Sequence, residues 1–323
     1  MAETNYGYAV ASIRVMELSL FNAATLEQLM ACKTPQQALR FLAEKGWGDA
    51  DTPLEADAIL TREREKTWET IEGLQVDLHV FDVLSLPKLY HNLKAAVKEV
   101  CTEHSTPGIF YADCEISGED MMQWLRDKDY EAFPAALRPV AQEACETLLQ
   151  TRDGQLCDVI VDRACLEAIL AAGRASDEAI IRDYAESSVA VADIKIAARC
   201  AATGKSPDFM RRAMAPCASL DTEALTQAAA RGTAALLEYL QGSGQGDAAA
   251  ALKESPSAFE RWCDNRIIET IRPQLMNPFT AGPLVAYVLA RENEIKTVRI
   301  ILSGMQNDLP EASIRERIRE MYV

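Results

Sequence analysis

Histidine is scarce in this chain: His79, His91 and His104 are the whole supply in 323 residues. They are the obvious proton carriers near neutral pH, and no serine or cysteine stands in an elbow or triad context. No catalytic residue is therefore assigned. Aromatic residues are also few, at 7%. Alanine, leucine, glutamate and arginine are abundant, and these lose little freedom in a helix, so helix is the expected element throughout.

Long apolar runs are missing too. The longest uncharged stretch, Pro273 to Ala290, holds three prolines together with Gln274 and Asn277, which excludes a lipid-exposed span. The opening "MAETNYGYAVASIR" has Glu3 where a signal peptide needs positive charge, so no leader is expected. Basic clusters without interleaved carboxylates are absent, and the net charge is -16. That balance excludes a nucleic-acid partner and repels an anionic lipid surface, leaving another protein as the route to any membrane. The cysteines number nine, an odd count with no Cys-x-x-Cys pair, which implies free thiols in a reducing, cytoplasmic setting.

What is present is enough apolar material, 49% against 25% charged, for two or three packed units. The spacing of Ile13, Met16 and Leu20 predicts one long helix from Tyr8 to Leu29. Thr34-Pro35 starts another that closes at Gly46, and Ser117 caps "GEDMMQWL". The charged "TREREKTWETIEGL" reads as a solvated helix in which Arg62 and Lys66 pair with Glu65 and Glu69. "IFYADCEI" fits a short strand or a connector. Leu166 to Tyr184 reads as helix broken at Gly173, and "QGSGQGD" from Gln241 to Asp247 as a flexible loop.

Two tempting motifs fail on spacing. Thr203-Gly204-Lys205-Ser206 resembles the end of a phosphate-binding loop, but Arg199 occupies the position of the required glycine and the preceding segment is helical; an interhelical turn is expected. Cys101, His104 and Cys114 lie close in sequence, yet a zinc site would need His91 from another helical turn. Neither a metal ligand nor a cofactor-binding residue is assigned.

The strongest signal is an interval. Leu93-Lys94, Ile194-Lys195 and Ile295-Lys296 follow one another at steps of 101 residues. A polar residue precedes each pair: Asn92, Asp193 and Glu294. Small or apolar residues follow at helical spacing: Ala96, Ala197 and Val298, then Val100, Ala201 and Leu302. A new helix restarts after each copy, with Pro207 or Pro310 followed by an acid in the second and third. Units of this size are domains rather than solenoid repeats, so three related helical modules are expected, at 1-110, 111-215 and 216-323. The shared residues Leu93, Lys94, Ile194, Lys195, Ile295 and Lys296 are assigned structural roles, with Lys296 pairing to Glu292 one turn away.

The run from Tyr287 to Val323 is similar to the ending of the C subunit of V/A-type rotary ATPases, called d in eukaryotes. The resemblance lies in Tyr287, Glu292, Glu294-Ile295, Lys296, Arg299, Pro310, Ile314-Arg315 and Tyr322-Val323. "YGYAVASIRVMELSLF" and "YHNLKAAVKEV" look like the opening helix and first Asn-Leu-Lys motif of the same family. The resemblance implies an all-α protein of three similar domains in a pseudo-threefold, funnel-like arrangement. It implies a non-catalytic rotor part, peripheral to the membrane on its cytoplasmic side. Its partners would be the membrane rotor ring and the central shaft, and it would serve ATP-linked proton or sodium transport. Acidic patches on this chain would meet basic loops of those partners, an attraction that salt weakens. A helical adaptor of another assembly is the alternative that the modules alone leave open.

Overall fold

The computed structural model describes residues 6–323; the expectation placed on Glu3 lies outside them. Every regular element among the described residues is helical, as the composition predicts, and "IFYADCEI" is a connector. The first helices are α1 (Gly7–Glu17), α2 (Ala23–Met30), α3 (Pro35–Glu44) and α4 (Ala56–Gly73). There follow α5 (Asp82–Thr102), α6 (Gly118–Asp127), α7 (Arg138–Thr151), α8 (Gly154–Ala175), α9 (Ala179–Thr203) and α10 (Pro207–Ala213). The last are α11 (Thr222–Ala230), α12 (Thr233–Gly242), α13 (Gly246–Glu254), α14 (Pro256–Ile271), α15 (Gly282–Gln306) and α16 (Glu311–Arg315).

Local chemistry sets most of the boundaries. Thr34 Oγ1 accepts the Gln37 N–H at 3.2 Å, Ser117 Oγ that of Asp120 at 3.0 Å, and Ser206 Oγ that of Phe209 at 3.2 Å. Each satisfies a donor that the first helical turn leaves orphaned. Proline occupies the first turn after Thr34, Ser206 and Ser255, where no N–H is needed. Gly204 takes the left-handed conformation that ends α9, and the Lys205 N–H returns to the Cys200 carbonyl at 3.1 Å. The Thr203–Ser206 string is thus an interhelical turn, with Lys205 Nζ donating to Gln155 Oε1 at 2.6 Å.

Three expectations need correction. The helix predicted from Tyr8 to Leu29 stops at Glu17, because the N–H groups of Leu18, Ser19 and Leu20 turn back to carbonyls three residues earlier and Asn22 caps a new helix. Leu20 and Phe21, between the two helices, are buried. The break expected at Gly173 comes after Ala175, where the Ser176 N–H closes on the Ala172 carbonyl. "QGSGQGD" is mostly helix end and helix start, joined by a turn in which the Gln245 N–H bonds the Leu240 carbonyl at 2.9 Å.

The chain gathers into two compact units, each assembled from separated stretches. One holds the described residues up to Val80, Asp177–Ser187 and Leu240–Val323; the other holds Phe81–Ser176 and Ser188–Tyr239. In the first, α4, α3, α1 and α14 pack on α15, around Phe21, Leu29, Leu42, Leu60, Ile295, Ile301 and Ile314. In the second, α5, α6, α7 and α8 enclose Leu93, Val97, Met121, Phe133, Leu137 and Val161. Each fully buried Leu, Ile or Phe contributes about 1.5–3 kcal/mol from removal of apolar surface from water.

One glycine in α15 measures how closely these helices approach. A Cβ on Gly304 would lie 2.6 Å from Ile314 Cγ1, so only glycine lets α16 settle on α15. Gly73, the last residue of α4, has nothing within 4 Å of that position. Gly304→Ala is therefore expected to destabilise the protein by about 1–3 kcal/mol and Gly73→Ala to stabilise it by about 0.4–1 kcal/mol in urea denaturation.

Candidate functional site: three anchored helices and a buried charge cluster

The repeated pairs lie on the three long helices α5, α9 and α15, and their apolar members are core residues. Leu93 and Ile194 are 0% exposed and Ile295 1%. Lys94 and Lys296 reach acids on neighbouring helices, and Lys195 is half-buried. Lys94 Nζ meets Asp162 of α8 at 2.6 Å, and Lys296 Nζ meets Asp264 of α14 at 2.7 Å. The expected Lys296–Glu292 pair does not form. Arg64 of α4 holds Glu292 with two parallel bonds, Nε–Oε1 at 2.9 Å and Nη2–Oε2 at 3.2 Å, a planar fork that an ammonium cannot match.

The residue before each pair gives the repeat its sharpest physical meaning. Asn92, Asp193 and Glu294 are all buried, and each accepts a main-chain N–H from an irregular segment. Asn92 Oδ1 accepts that of Tyr111 at 2.9 Å, while its Nδ2 donates to the Tyr111 carbonyl at 2.9 Å. Asp193 Oδ1 accepts the N–H of Ala215 at 3.1 Å. Glu294 Oε1 accepts the N–H of Phe21. Each time a buried side-chain acceptor is satisfied by a main-chain donor, which avoids the cost of burying it alone.

Glu294 also belongs to a buried charge cluster that sequence reasoning missed. Arg291 bridges Glu294, three residues on, and Glu63 of α4; all three are buried. The Arg291 guanidinium lies 5.2 Å from the Trp47 ring centroid, over its face. Glu63 further accepts the Gly48 N–H at 2.8 Å and Lys66 Nζ at 2.6 Å, and Lys66 caps the carbonyls of Gly46 and Gly48 at 2.9 and 3.0 Å. The reading of α4 as a solvated helix is thus half right. Arg62 does bind Glu65 and Glu69 in solvent, but Glu63 and Thr67 face inward with Ile59, Leu60 and Ile71.

Burial pushes the Glu294 carboxyl up to about 7, against the pull of Arg291 and the Phe21 N–H. Burial also works against the charge on Arg291, but Glu294, Tyr287 and Glu63 together hold it above its ordinary value. The C-terminal motif residues are anchors as well. Arg299 pairs with Asp57 at 2.6 Å, Arg315 grips Glu27 at 2.6 and 2.8 Å, and Tyr322 is buried. Asn293 and Asn265 clamp the Glu320 backbone from both sides, at 2.8 and 2.9 Å. Of the residues weighed as zinc ligands, Cys101 faces Cys145 with sulfurs 3.4 Å apart and His91 Nε2 lies 2.9 Å from the Ile109 carbonyl, so the two are directed elsewhere.

The arrangement holds backbone segments on long helices by buried polar contacts, which is the chemistry of a rigid framework. The family model described as ATP synthase (C/AC39) subunit matches residues 9–317. The C subunit of the V-type sodium ATPase of Enterococcus hirae is 21% identical, over 96% of this chain and 97% of that protein. The C subunit of the A-type ATP synthase of Halobacterium salinarum is 23% identical, over 97% of each.

Arg291→Met leaves Glu63 and Glu294 buried without their shared cation, and the expected cost near neutral pH is about 3–5 kcal/mol. A carboxyl whose folded pKa lies above its unfolded value takes up a proton on folding. Its contribution is complete below the unfolded pKa of 4.5 and is lost as pH rises through the folded value, about 7 for Glu294. Removing Arg291 steepens that loss. Denaturation of the variant across this range is expected to show its deficit shrinking toward pH 5 and growing toward pH 8.

Proposed function

The chain belongs to the ATP synthase (C/AC39) subunit family, and from that premise we propose that it is the non-catalytic C subunit in the central rotor of a V/A-type ATPase. In this reading it seats on the cytoplasmic side of the membrane ion-binding ring and receives the end of the central shaft. It passes torque between them for ATP-linked proton or sodium transport. Leu93-Lys94, Ile194-Lys195 and Ile295-Lys296 mark three related helical modules, set in a pseudo-threefold, funnel-like arrangement.

The observation that carries the reading is the threefold recurrence of one anchoring device on α5, α9 and α15. A part that transmits torque must not yield, and close-packed helices have little free volume in which to do so. Among the described residues no helix is long and apolar enough to cross a membrane, so the proposed contact with the membrane runs through the ring proteins. The net charge of -16 suits partners that present basic loops, because long-range attraction accelerates encounter more than it strengthens the final complex.

Purified protein mixed with the detergent-solubilised ring and the shaft proteins is expected to form one complex in size-exclusion chromatography, with this chain between the two in low-resolution images. Co-elution with an unrelated assembly, and with neither ring nor shaft, would contradict the reading in favour of a general adaptor. Association is expected to slow by about tenfold or more as salt rises from about 0.05 M to about 0.5 M, because screening shortens the reach of the acidic surface.

A further inference from the structure

All nine cysteines are free thiols, and two of them, 44 residues apart in sequence, meet inside the second unit. Cys101 stands one residue before the end of α5 and Cys145 in the middle of α7, with their sulfurs 3.4 Å apart. The Cys101 thiol also points toward the Cys145 carbonyl, at 4.0 Å. Cys145 shares the buried face of α7 with Ala141, Ala144 and Leu148, which sets it against α5. Cys101 is only half-buried, and Thr102, Glu103 and His104 beyond it are exposed. One sulfur is thus open to a small reagent, and the other stands behind it.

Position in the fold lets the pair close. The sulfurs must approach by about 1.4 Å to become a bond. The last turn of a helix leaves carbonyls without partners and yields more readily than the interior, and Glu103 already leaves α5 in the left-handed conformation. Cys101 can therefore move while Cys145 stays in place. Burial pushes the Cys101 thiol up to about 12, with the neighbouring Cys145 sulfur adding to the effect, so thiolate is scarce near neutral pH. The pair answers a sustained oxidant rather than a brief one. Cys157 acts on Cys101 electrostatically but is 0% exposed, out of reach of a reagent in water.

We propose that Cys101 and Cys145 form a reversible disulfide site, closed by hydrogen peroxide and reopened by a dithiol. The Cys101 sulfur, having released its proton to water, attacks one peroxide oxygen; the O–O bond breaks, and the other oxygen leaves as hydroxide and recovers a proton to become water. Cys101 is then a sulfenic acid. The Cys145 sulfur attacks it, the S–S bond forms as the S–O bond breaks, and the departing hydroxide takes the Cys145 proton as a second water. Two thiols lose two electrons and two protons, and one peroxide becomes two waters. A dithiol reverses the bond by exchange and ends as its own disulfide. Cys145 also spares Cys101 from irreversible oxidation, because it consumes the sulfenic acid first. The closed bond fastens α5, which carries Leu93-Lys94, to α7 and encloses α6 and the connector before it, restricting the unfolded chain.

The test exposes the reduced full-length protein to excess hydrogen peroxide, alkylates the remaining thiols in denaturant and maps the peptides by mass spectrometry. One intramolecular link between the Cys101 and Cys145 peptides is expected, with the loss of two hydrogen masses, and dithiothreitol is expected to undo it. The urea midpoint of the oxidised protein should shift upward and return on reduction. Cys145→Ala leaves the Cys101 sulfenic acid without its partner, so dimedone is expected to label Cys101 about tenfold more in this variant than in the wild type. Cys32→Ala, in the first unit, serves as control and should form the link as the wild type does. Both thiols still open to alkylation after prolonged exposure overturn the proposal. So does a link from Cys145 to Cys157, a link between two chains, or one that lowers the urea midpoint, since the pair would then not fit a bond in the folded unit. The wild-type map decides the matter even where a variant fails to fold.

Discussion

Three main-chain N–H groups, those of Phe21, Tyr111 and Ala215, are held by buried side chains one residue ahead of the repeated apolar–lysine pair. The constraint behind this is simple. An irregular segment can enter a core only if its backbone donors and acceptors find partners there, and a polar side chain can be buried only on the same condition. Pairing the two solves both problems at one site. The chemistry varies with what must be reached. Asn92 can accept and donate, so it fastens both sides of Tyr111. Glu294, one methylene longer than Asp193, engages Phe21 near the other end of the sequence, which ties α15 to the segment between α1 and α2.

The rest of the first unit is arranged around that tie. Glu294 cannot sit buried and ionised without a cation, and Arg291 supplies it from one turn away. Arg291 in turn serves more than one carboxylate, and Glu63 completes the set together with Lys66 and the backbone of Gly46 and Gly48. α15, α4 and the segment after α3 are thereby fixed to one another by directional contacts as well as by apolar packing. Such clusters add little net stability over a hydrophobic replacement but strongly oppose removal of a single member. In the proposed role of transmitting torque, opposition to partial rearrangement is the useful property.

Much of this is legible in the amino-acid order, and the failures have physical causes. Helix content, the caps at Thr34, Ser117 and Ser206, and the burial of Leu93, Ile194 and Ile295 follow from local rules of hydrogen bonding and periodicity. The interruption after α1 is marked locally by Asn22, the cap of α2, which apolar spacing alone passes over, while its second tie, Glu294, lies 273 residues away from Phe21. The charge cluster does leave a trace in the sequence. Leu284, Val288, Arg291 and Ile295 lie on one stripe of α15, and Leu60, Glu63, Thr67 and Ile71 on one stripe of α4, so a charge stands at a core position in each. Sequence spacing assigns Lys296 the wrong partner because a helix-surface rule compares only residues on the same helix. Asp264 of α14 and the fork of Arg64 come from neighbouring helices.

Three anchors hold irregular segments to the long helices, and amide hydrogen exchange reads them directly. Phe21, Tyr111 and Ala215 lie outside helices, where backbone amides ordinarily exchange within minutes or faster once exposed to water. Native-state exchange followed residue by residue is predicted to find all three protected to a degree comparable with the helical amides of Leu93 and Ile295, while the exposed Gly108 and Ala218 nearby exchange fast. Exchange at Phe21, Tyr111 and Ala215 as fast as at those neighbours would contradict the anchoring on which the fold and its proposed role both rest.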